Sequence, residues 1–452
     1  MKLPRYPKYK DSGVKWLGQV PEHWGILPIK RDVKFITSGS RGWAENYADE
    51  GDMFIRIGNL TRHGIGMDLT DVQRVLVPSG TEGVRTMVKP GDVLFSITAY
   101  LGSVAVVPDD LDTAFVSQHI ALVRLKKKRL LPKWVAYLTS SDVGRAYLDA
   151  SGYGGTKIQL SLSDVAGLIT TAPPLEEQAA VIDFLDLETK KIEALIAEQR
   201  RMIELLREKR QAIITQAVTK GLNPDAAMKP SGVKWLGNVP TSWKICLLKR
   251  AFRSMEYGIS DAVGLEGSIA ILRMGNIVSG KIDYADLKYI DAVDQSLLLQ
   301  EGDLLYNRTN SLDQIGKVGL FQGDVDGQFS FASYLVRLRT VSDSLPQFFA
   351  YLLNTENILG LARASAFVAI GQCNLNPSRY GRIIVAIPPQ EEQVAIVRYL
   401  EKATATIDSL VADASRTIDI LQERCSALIS AAVTGALDVR NCRPEEARAV
   451  CQ

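Results

Sequence analysis

The side chains best suited to chemistry stand in two short segments, and neither segment carries a complete catalytic signature. GYGGTK (152–157) is rich in glycine and ends in lysine, as a phosphate-binding loop does, but it lacks the G-x-x-x-x-G-K-[ST] spacing. NPSRY (376–380) is similar to the Asn-Pro-Pro-Tyr site of amino-methyltransferases, but its second proline is missing and no glycine-rich S-adenosylmethionine loop accompanies it. We predict that neither segment is catalytic and that GYGGTK is a divergent recognition loop.

Histidine and cysteine, which could supply acid–base, nucleophilic or metal-binding groups, are few and scattered. His23, His63 and His119 are far apart in the sequence and make a poor metal or acid–base site. The cysteines are odd in number and show no C-x-x-C spacing: Cys246, Cys373, Cys425, Cys442 and Cys451. The sequence therefore predicts neither a zinc site nor a disulfide framework. We expect a cytoplasmic protein in a reducing compartment, with no metal or cofactor of its own.

The elements that would position polar side chains occur twice in the chain. SGVKWLGQVPEHWGILPIKR (12–31) returns as SGVKWLGNVPTSWKICLLKR (231–250), with 13 of 20 positions identical. Likewise APPLEEQ (172–178) returns as AIPPQEEQ (386–393). Because this repeat covers about half of the chain, it predicts two equivalent domains in a pseudo-twofold arrangement rather than a solenoid. Such a protein suits a target with two parts, of which duplex DNA is the commonest.

Each half has the pattern of a small domain that mixes strands and helices. KPGDVLFSIT (89–98) matches QEGDLLYNRT (300–309), and in both a Gly-Asp turn precedes an alternating strand. A short helix is predicted at PKWVAYLTS (132–140) and at PQFFAYLLN (346–354). Four tryptophans lie in the repeated arms that begin the halves: Trp16, Trp24, Trp235 and Trp243. They could stack on bases, but we favour a packing role that fixes each arm to its domain.

A long helix is predicted at the end of each half. Neither proline nor glycine occurs from Glu176 to Thr219 or from Glu391 to Thr434, and apolar residues recur there at seven-residue steps. This indicates a coiled coil with imperfect seams, interrupted at Gln199 and Ala414. The predicted seam consists of Leu185, Ile192, Leu206, Ile213, Leu400, Ile407, Leu421 and Leu428, with Leu195, Met202 and Leu410 at neighbouring seam positions. About 40 residues of helix make a rod of roughly 60 Å. The predicted fold is therefore α+β, with two globular domains separated by two long helices that form an antiparallel coiled coil.

Three features occur in the same order in both halves: the arms, the G-D-[VL]-L-[FY] strands and the PPLEEQ or PPQEEQ helix starts. With these features the chain resembles the specificity subunit of type I restriction-modification systems. The resemblance covers both halves, from about residue 10 to residue 437. It implies a non-catalytic DNA-binding subunit of a bacterial defence system, with two target-recognition domains that each read one half of a split, asymmetric site in double-stranded DNA. The helices would set the spacing and dock two methyltransferase subunits. Restriction subunits, which are motor nucleases, would join them, and S-adenosylmethionine, ATP and magnesium would bind to these partners.

The resemblance and the repeat together predict the domain boundaries. The first target-recognition domain with its arm would be residues 1–172, followed by the central helix at 173–222. The second domain would be residues 223–387, followed by the distal helix at 388–437. The residues 438–452 form a tail with no counterpart in the first half.

Sequence reading is expected from the loops in which the halves differ, because a shared scaffold with divergent loops is typical of recognition domains. In the first domain the candidates for base contacts are Arg41, Asn46, Tyr47, Thr98, Tyr100, Lys157 and Gln159. In the second domain they are Arg308, Asn310, Gln314, Gln372 and Asn374. Phosphate contacts would suit the basic residues Lys126, Lys127, Lys128 and Arg129. Arg56 and Arg273 precede Gly-Asn in both halves, so we expect them to be architectural or phosphate-directed.

The bulk composition leaves one alternative open. The net charge is +2, which by itself predicts no affinity for nucleic acid, and no apolar run approaches the roughly 18 residues that span a bilayer. A basic run could equally be a solvated turn. The alternative function is an interaction scaffold that acts through its long helices without sequence-specific DNA binding.

Overall fold

The computed structural model describes residues 4–39, 41–62, 64–77, 81–153, 158–278, 280–323, 325–369 and 372–440. The chain forms two compact units. One unit joins the residues up to Arg200 with those from Ala414 onward, and the other is Arg201–Asp413. Each unit therefore contains one strand-rich region, the first part of one long helix and the last part of the other.

The first unit is built from short strands and a few helices. Its strands are β1 (Tyr9–Asp11), β2 (Gln19–Pro21), β3 (Gly25–Pro28), β4 (Val33–Ser38), β5 (Tyr47–Ala48), β6 (Asp52–Ile55), β7 (Gln73–Val75), β8 (Val93–Ser96), β9 (Val104–Val106), β10 (Ala114–Val116), β11 (Ile120–Leu125) and β12 (Ile169–Ala172). Its helices are α1 (Thr81–Thr86), α2 (Pro132–Ser140), α3 (Asp142–Ser151), α4 (Leu162–Gly167) and the first part of α5 (Leu175–Lys220). The sheet order β4-β11-β8-β9 forms one layer, and β10-β6-β7-β5 forms a second sheet.

The second unit repeats this plan. Its strands are β13 (Met228–Pro230), β14 (Asn238–Pro240), β15 (Lys244–Leu247), β16 (Phe252–Tyr257), β17 (Ile269–Leu272), β18 (Ile277–Val278), β19 (Lys281–Ile282), β20 (Lys288–Ile290), β21 (Leu304–Asn307), β22 (Thr309–Asn310), β23 (Val318–Leu320), β24 (Gln328–Phe331), β25 (Leu335–Thr340), β26 (Phe367–Ala369), β27 (Gln372–Asn374) and β28 (Ile384–Ile387). Its helices are α6 (Pro346–Leu353), α7 (Glu356–Ser365), α8 (Pro377–Tyr380) and the first part of α9 (Gln390–Thr434). The order β16-β25-β21-β23 matches β4-β11-β8-β9 strand for strand.

The repeated Gly-Asp turn has the same structural role in both units. Asp92, just before β8, accepts two hydrogen bonds from Arg124 on β11, and Asp303, just before β21, accepts two from Arg339 on β25. Both aspartates are buried, so a paired guanidinium is needed to offset their desolvation. Each ion pair ties neighbouring strands of the main sheet together. This explains why Gly-Asp precedes the strand in both halves.

The glutamine of the repeated PPLEEQ and PPQEEQ motifs clamps the start of each long helix to the domain. The fully buried Gln178 donates from Nε2 to the carbonyl oxygens of Arg129 (2.7 Å) and Pro173 (2.8 Å), and its Oε1 accepts the Leu131 N–H (2.9 Å). Gln393 makes the matching contacts with Asp343, Pro388 and Leu345. The predicted long helices are confirmed, and their starting motif is a fixed element of the fold.

Within each unit the two helices pack antiparallel. In the first unit Leu185 and Ile192 of α5 share a core with Ile429 and Val433 near the end of α9. In the second unit Ile214 and Val218 near the end of α5 share a core with Val397 and Leu400 near the start of α9.

The predicted seam was wrong in part. Leu195, Met202 and Leu410 are exposed, whereas Ala414, expected to interrupt the seam, is buried. The buried positions Ile192, Ile203 and Ile214 are spaced by 11 residues. An 11-residue repeat corresponds to about 3.67 residues per turn and a heptad to about 3.5, so the buried stripe on α5 departs from the strict heptad that the sequence indicated.

The tryptophan arms pack as predicted. Trp24 is fully buried, and its Nε1 donates to Glu177 Oε1 at 3.0 Å, which also accepts the Tyr6 hydroxyl at 2.7 Å. Trp243 is buried in the second unit beside the C-terminal end of α5. In the first unit the neighbour of the arm is the end of α9, where the N–H of Asp438 donates to the carbonyl of Pro4. The packing role of Trp24 and Trp243 is therefore confirmed.

Candidate nucleic-acid interface

In each unit the segment that follows an inner strand of the main sheet, β8 or β21, pairs with the segment between two short helices. These helices are α3 and α4 in the first unit and α7 and α8 in the second. In the first unit Thr98, which follows β8, forms an antiparallel bridge with Gln159. In the second unit β22 follows β21 and pairs Thr309 with Asn374 on β27. These are the stretches in which the two halves differ most in sequence. The fold thus brings divergent residues from distant parts of each half to one end of its main sheet.

In the first unit this end of the sheet carries a polar network. Thr98 Oγ1 and His119 Nδ1 are 2.9 Å apart, and His119 Nε2 lies 3.1 Å from Gln118 Nε2. The Gln118 and His119 side chains are exposed. Because each imidazole nitrogen has a different neighbour, the tautomer of His119 decides which group it offers to a ligand.

A cleft of about 460 Å³ opens beside this network. Its wall includes the predicted residue Tyr47, whose ring centroid lies 5.7 Å from that of Phe54, and it continues to Gln118 and His119. The exposed Arg41 precedes Gly42, which also lines the cleft. The structure therefore brings Arg41, Tyr47, Thr98 and Gln159 to one side of the first unit.

Two further candidates of the first domain lie near this side. The guanidinium of Arg62 lies 3.6 Å from the ring centroid of the exposed Tyr100, a cation–π contact. Asn46 ends a 3-10 helix, Trp43–Asn46, and its carbonyl accepts the N–H of Leu76. Lys157 lies outside the described residues.

The basic run lies at the other end of the main sheet. Lys126–Arg129 follows the C-terminal end of β11, whereas His119 precedes its N-terminal end, so a strand of about 20 Å separates them. The four side chains are exposed. The backbone of the run is fixed, because the N–H groups of Lys126 and Arg129 donate to Asp32 and the Arg129 carbonyl accepts from Gln178. The two cations that flank the run are paired: Arg124 with Asp92, and Lys133 with Asp186. The cations available to neutralise phosphate are therefore those of Lys126–Arg129 and not their flanking neighbours.

In the second unit four of the five predicted residues converge. Arg308 and Asn310 flank Thr309 at β22, and Gln372 and Asn374 lie on β27, which pairs with β22. Asn374 Nδ2 donates to Thr309 Oγ1 at 3.3 Å.

The remaining candidate of the second domain, Gln314, lies in a turn between β22 and β23. Its Nε2 donates to Asp313 and its Oε1 accepts from Lys317 at 2.9 Å. Hydrogen bonds from Ser311 and Gln314 hold the pKa of the Asp313 carboxyl below its usual range, so this turn carries a negative charge. Both polar atoms of the Gln314 side chain are hydrogen-bonded within its own turn.

The shared Arg-x-Gly-Asn segments are architectural. The Asn59 side chain accepts the Arg56 N–H and donates to the carbonyls of Asp68 and Asp71. Asn276 makes the matching contacts after Arg273, whose guanidinium pairs with Asp286. The asparagine closes the turn in both units, which explains why both halves keep it.

Sequence reasoning did not nominate Gln118, His119, Tyr257 and Tyr334, which the structure adds to the candidate interface. The backbone pairing of Ile97 with His119 matches that of Arg308 with Tyr334, so His119 and Tyr334 occupy equivalent positions. A comparison of the two halves at these positions could have found them, since one half has Gln-His where the other has Ser-Tyr.

Neither a metal centre nor a membrane-spanning helix is found in the part of the chain that the structure describes. No group of three or more His, Cys, Asp or Glu side chains there could hold a metal ion. No helix there is both long and apolar enough to cross a bilayer. His23 is hydrogen-bonded to Glu177, and His63 lies outside the described residues.

Known proteins resemble this chain along nearly its whole length. It is 22% identical over 438 residues to the type I restriction enzyme EcoKI specificity subunit of Escherichia coli K12, a match that covers 93% of this chain and 90% of the relative. The StySPI specificity subunit of Salmonella potsdam is also 22% identical, over 436 residues and with the same coverage. No protein-family model matches the chain.

Solved structures share the fold. One, from a study of complex assembly and conformational transition of the type I R-M system, has a TM-score of 0.70 at 17% identity and covers 92% of this chain and 99% of its own. The HsdS subunit from Thermoanaerobacter tengcongensis has a TM-score of 0.50 at 18% identity, with 92% and 98% covered. The chain is a homologue of type I restriction specificity subunits. The predicted fold class is confirmed. The names of the relatives agree with the prediction of a specificity component rather than an enzyme.

Proposed function

We propose that this chain is the DNA sequence-specificity subunit of a type I restriction-modification complex. The observation that carries the proposal is a match to proteins named as specificity subunits over about nine tenths of both chains. The two units support it, because they share their framework contacts and differ at one end of the main sheet. A protein with two such ends would read a site whose halves differ.

Each domain would read one half of a bipartite, asymmetric DNA site. The polar residues gathered at the end of each main sheet have the donors and acceptors that base edges require. Lys126–Arg129 would contact phosphate. Because this run and the His119 network lie at opposite ends of β11, phosphate contacts and base contacts would then be made at opposite ends of the main sheet. Lys157 is proposed as a base contact on sequence alone.

The helices would set the gap between half-sites and dock two methyltransferase subunits. Leu195, Met202 and Leu410, exposed on α5 and α9, are suited to burial against a partner. Restriction subunits would complete the assembly in the cytoplasm. S-adenosylmethionine, ATP and magnesium would bind to those partners, as the resemblance to specificity subunits implies.

Co-expression with its methyltransferase tests the proposal. Mapping of modified adenines should then give one bipartite motif, whereas modification without sequence preference, or failure to form a complex, would refute it. The alternative of a scaffold without sequence-specific DNA binding predicts a complex whose modification has no motif. No observation favours that alternative.

Exchange of a whole domain tests the division of labour. Replacement of residues 32–170 by those of a relative should change one half-site and leave the other intact. A change in both half-sites would show that the domains do not read independently.

A further inference from the structure

Arg308 occupies a backbone position at which one unit has a charged side chain and the other has an aliphatic one. Its N–H donates to the Tyr334 carbonyl, and its own carbonyl accepts the Leu375 N–H at 2.7 Å. In the first unit Ile97 makes the matching two backbone hydrogen bonds, and its side chain is buried. The framework therefore does not require an arginine here, because an aliphatic side chain serves the same backbone position.

The guanidinium of Arg308 is held in a fixed orientation. Nη1 donates to the Ser333 carbonyl at 3.2 Å, and the guanidinium carbon lies 4.8 Å from the ring centroid of Tyr257. Nε is enclosed without an acceptor. Stacking on a tyrosine and a backbone hydrogen bond together restrict the plane of the fork, so less rotamer entropy is lost when it binds a ligand.

Arg308 also has no carboxylate partner among the residues that the structure describes. Arg337 and Arg339 on β25, by contrast, are both paired with Asp303. Nη2 of Arg308 donates to no acceptor in the described chain, so the Nη1–Nη2 edge keeps donors for a ligand. The neighbours Asn374 and Asn310 are uncharged side chains that can contact base edges.

We propose that Arg308 reads a guanine in the half-site bound by the second domain and that Tyr257 is its positioning residue. The inference rests on the proposed function and names the base. A planar fork that keeps one N–H on Nη1 and both on Nη2 for a ligand matches the N7 and O6 acceptors of guanine in the major groove. A guanidinium fork also fits a phosphate, but a phosphate contact carries no sequence information, so loss of preference at a single base pair distinguishes the guanine contact from it.

Mapping of modified adenines with variants of the full chain, co-expressed with the methyltransferase, provides the first test. Arg308→Gln and Arg308→Lys should each relax preference at a single G·C pair of one half-site, by roughly 5- to 150-fold for the glutamine variant. The other half-site, read by the same chain, reports whether the protein is folded. Arg253→Gln, on the same strand as Tyr257 and exposed, is the matched control and should leave the motif unchanged.

Duplexes that carry 7-deazaguanine, which pairs normally but lacks the N7 acceptor, identify the contact. Binding by the wild-type complex should weaken at one guanine, and Arg308→Gln should show no further loss there. Tyr257→Leu should lose part of the preference, and Tyr257→Phe, which keeps the ring, should retain it.

Three results would overturn the inference while leaving the proposed function intact: equal weakening on all sequences, relaxation at an A·T pair, or an unchanged motif in Arg308→Gln. If the glutamine variant gives no complex, Arg308→Lys and Tyr257→Leu decide by the same criteria. A wild-type complex with no bipartite motif would instead contradict the proposed function itself.

Discussion

Removal of the Gln178 side chain should open the junction between the first domain and its long helix. The side chain is fully buried and makes three hydrogen bonds, two to the carbonyls of Arg129 and Pro173 and one from the Leu131 N–H. Alanine would leave these backbone groups without partners in a site that water does not reach. The junction also fixes the loop that carries the basic run.

The magnitude follows from the number of groups left unpaired. A buried donor or acceptor without a partner costs about 1–3 kcal/mol, and partial relaxation will recover some of that cost. We expect Gln178→Ala to lower the free energy of local opening by roughly 2–4 kcal/mol. Such a loss speeds exchange of the Leu131 amide hydrogen by roughly 30- to 700-fold.

Hydrogen–deuterium exchange by mass spectrometry measures this opening locally. A single free energy of unfolding is poorly defined for a chain with two units, so a local probe is required. Gln393→Ala should have the same effect at Leu345 and leave Leu131 protected. Glu176→Ala, exposed in the same motif, is the control. If Leu131 exchanges less than threefold faster in Gln178→Ala, the glutamine is not the clamp that its hydrogen bonds indicate.

Three other perturbations have defined outcomes. Gly435→Ala should speed hydrogen exchange near the end of α9, because Gly435 has φ +75° and an added Cβ would lie 2.3 Å from Pro21. Gly221→Ala should speed exchange less near the end of α5, because Gly221 has φ +77° but the atom closest to an added Cβ is an oxygen of the flexible Glu392 carboxylate at 2.8 Å. Equal increases in exchange would contradict this. Replacement of Lys126–Arg129 by alanine should weaken DNA binding equally on all sequences and reduce the salt dependence, and an unchanged slope of affinity against salt concentration would exclude phosphate contact. Lengthening α5 by a turn should change only the gap of the mapped motif, so an altered half-site would show that the helix does more than set spacing.

The sequence predicted the helices and strands of this fold better than it predicted which residues contact each other. The ends of α5 and α9 follow from Pro-Pro before each helix and glycine after it, which are local signals. The pairing of Arg124 with Asp92 joins residues 32 positions apart, so no local sequence pattern indicates it. Heptad counting likewise failed at Ala414, because the buried stripe depends on how both helices pack rather than on either one alone.

The candidate interface was predictable only where the halves differ visibly. Thr98 and Gln159 were nominated from unlike loops, and the structure joins them in a bridge. Sequence reasoning treats His119 only as a metal or acid–base group, and isolated histidines make poor sites of either kind. It leaves out the hydrogen bonds that the imidazole can form. Its contact with Thr98 depends on the register of β11 against β8, which no local pattern specifies.

The two units share some residues at equivalent positions and differ at others, and this pattern bears on the asymmetry of the DNA target. The ion pair of Arg124 with Asp92 has its counterpart in Arg339 with Asp303, so the main sheet is fixed in the same way in both units. One strand length away, a buried isoleucine in one unit is replaced by Arg308 in the other. Because side chains beyond a rigid sheet end can change without cost to the framework, the two domains are free to acquire different base preferences. Identical ends would favour a palindrome, and these ends, which differ in charge and in hydrogen-bonding groups, favour two unlike half-sites.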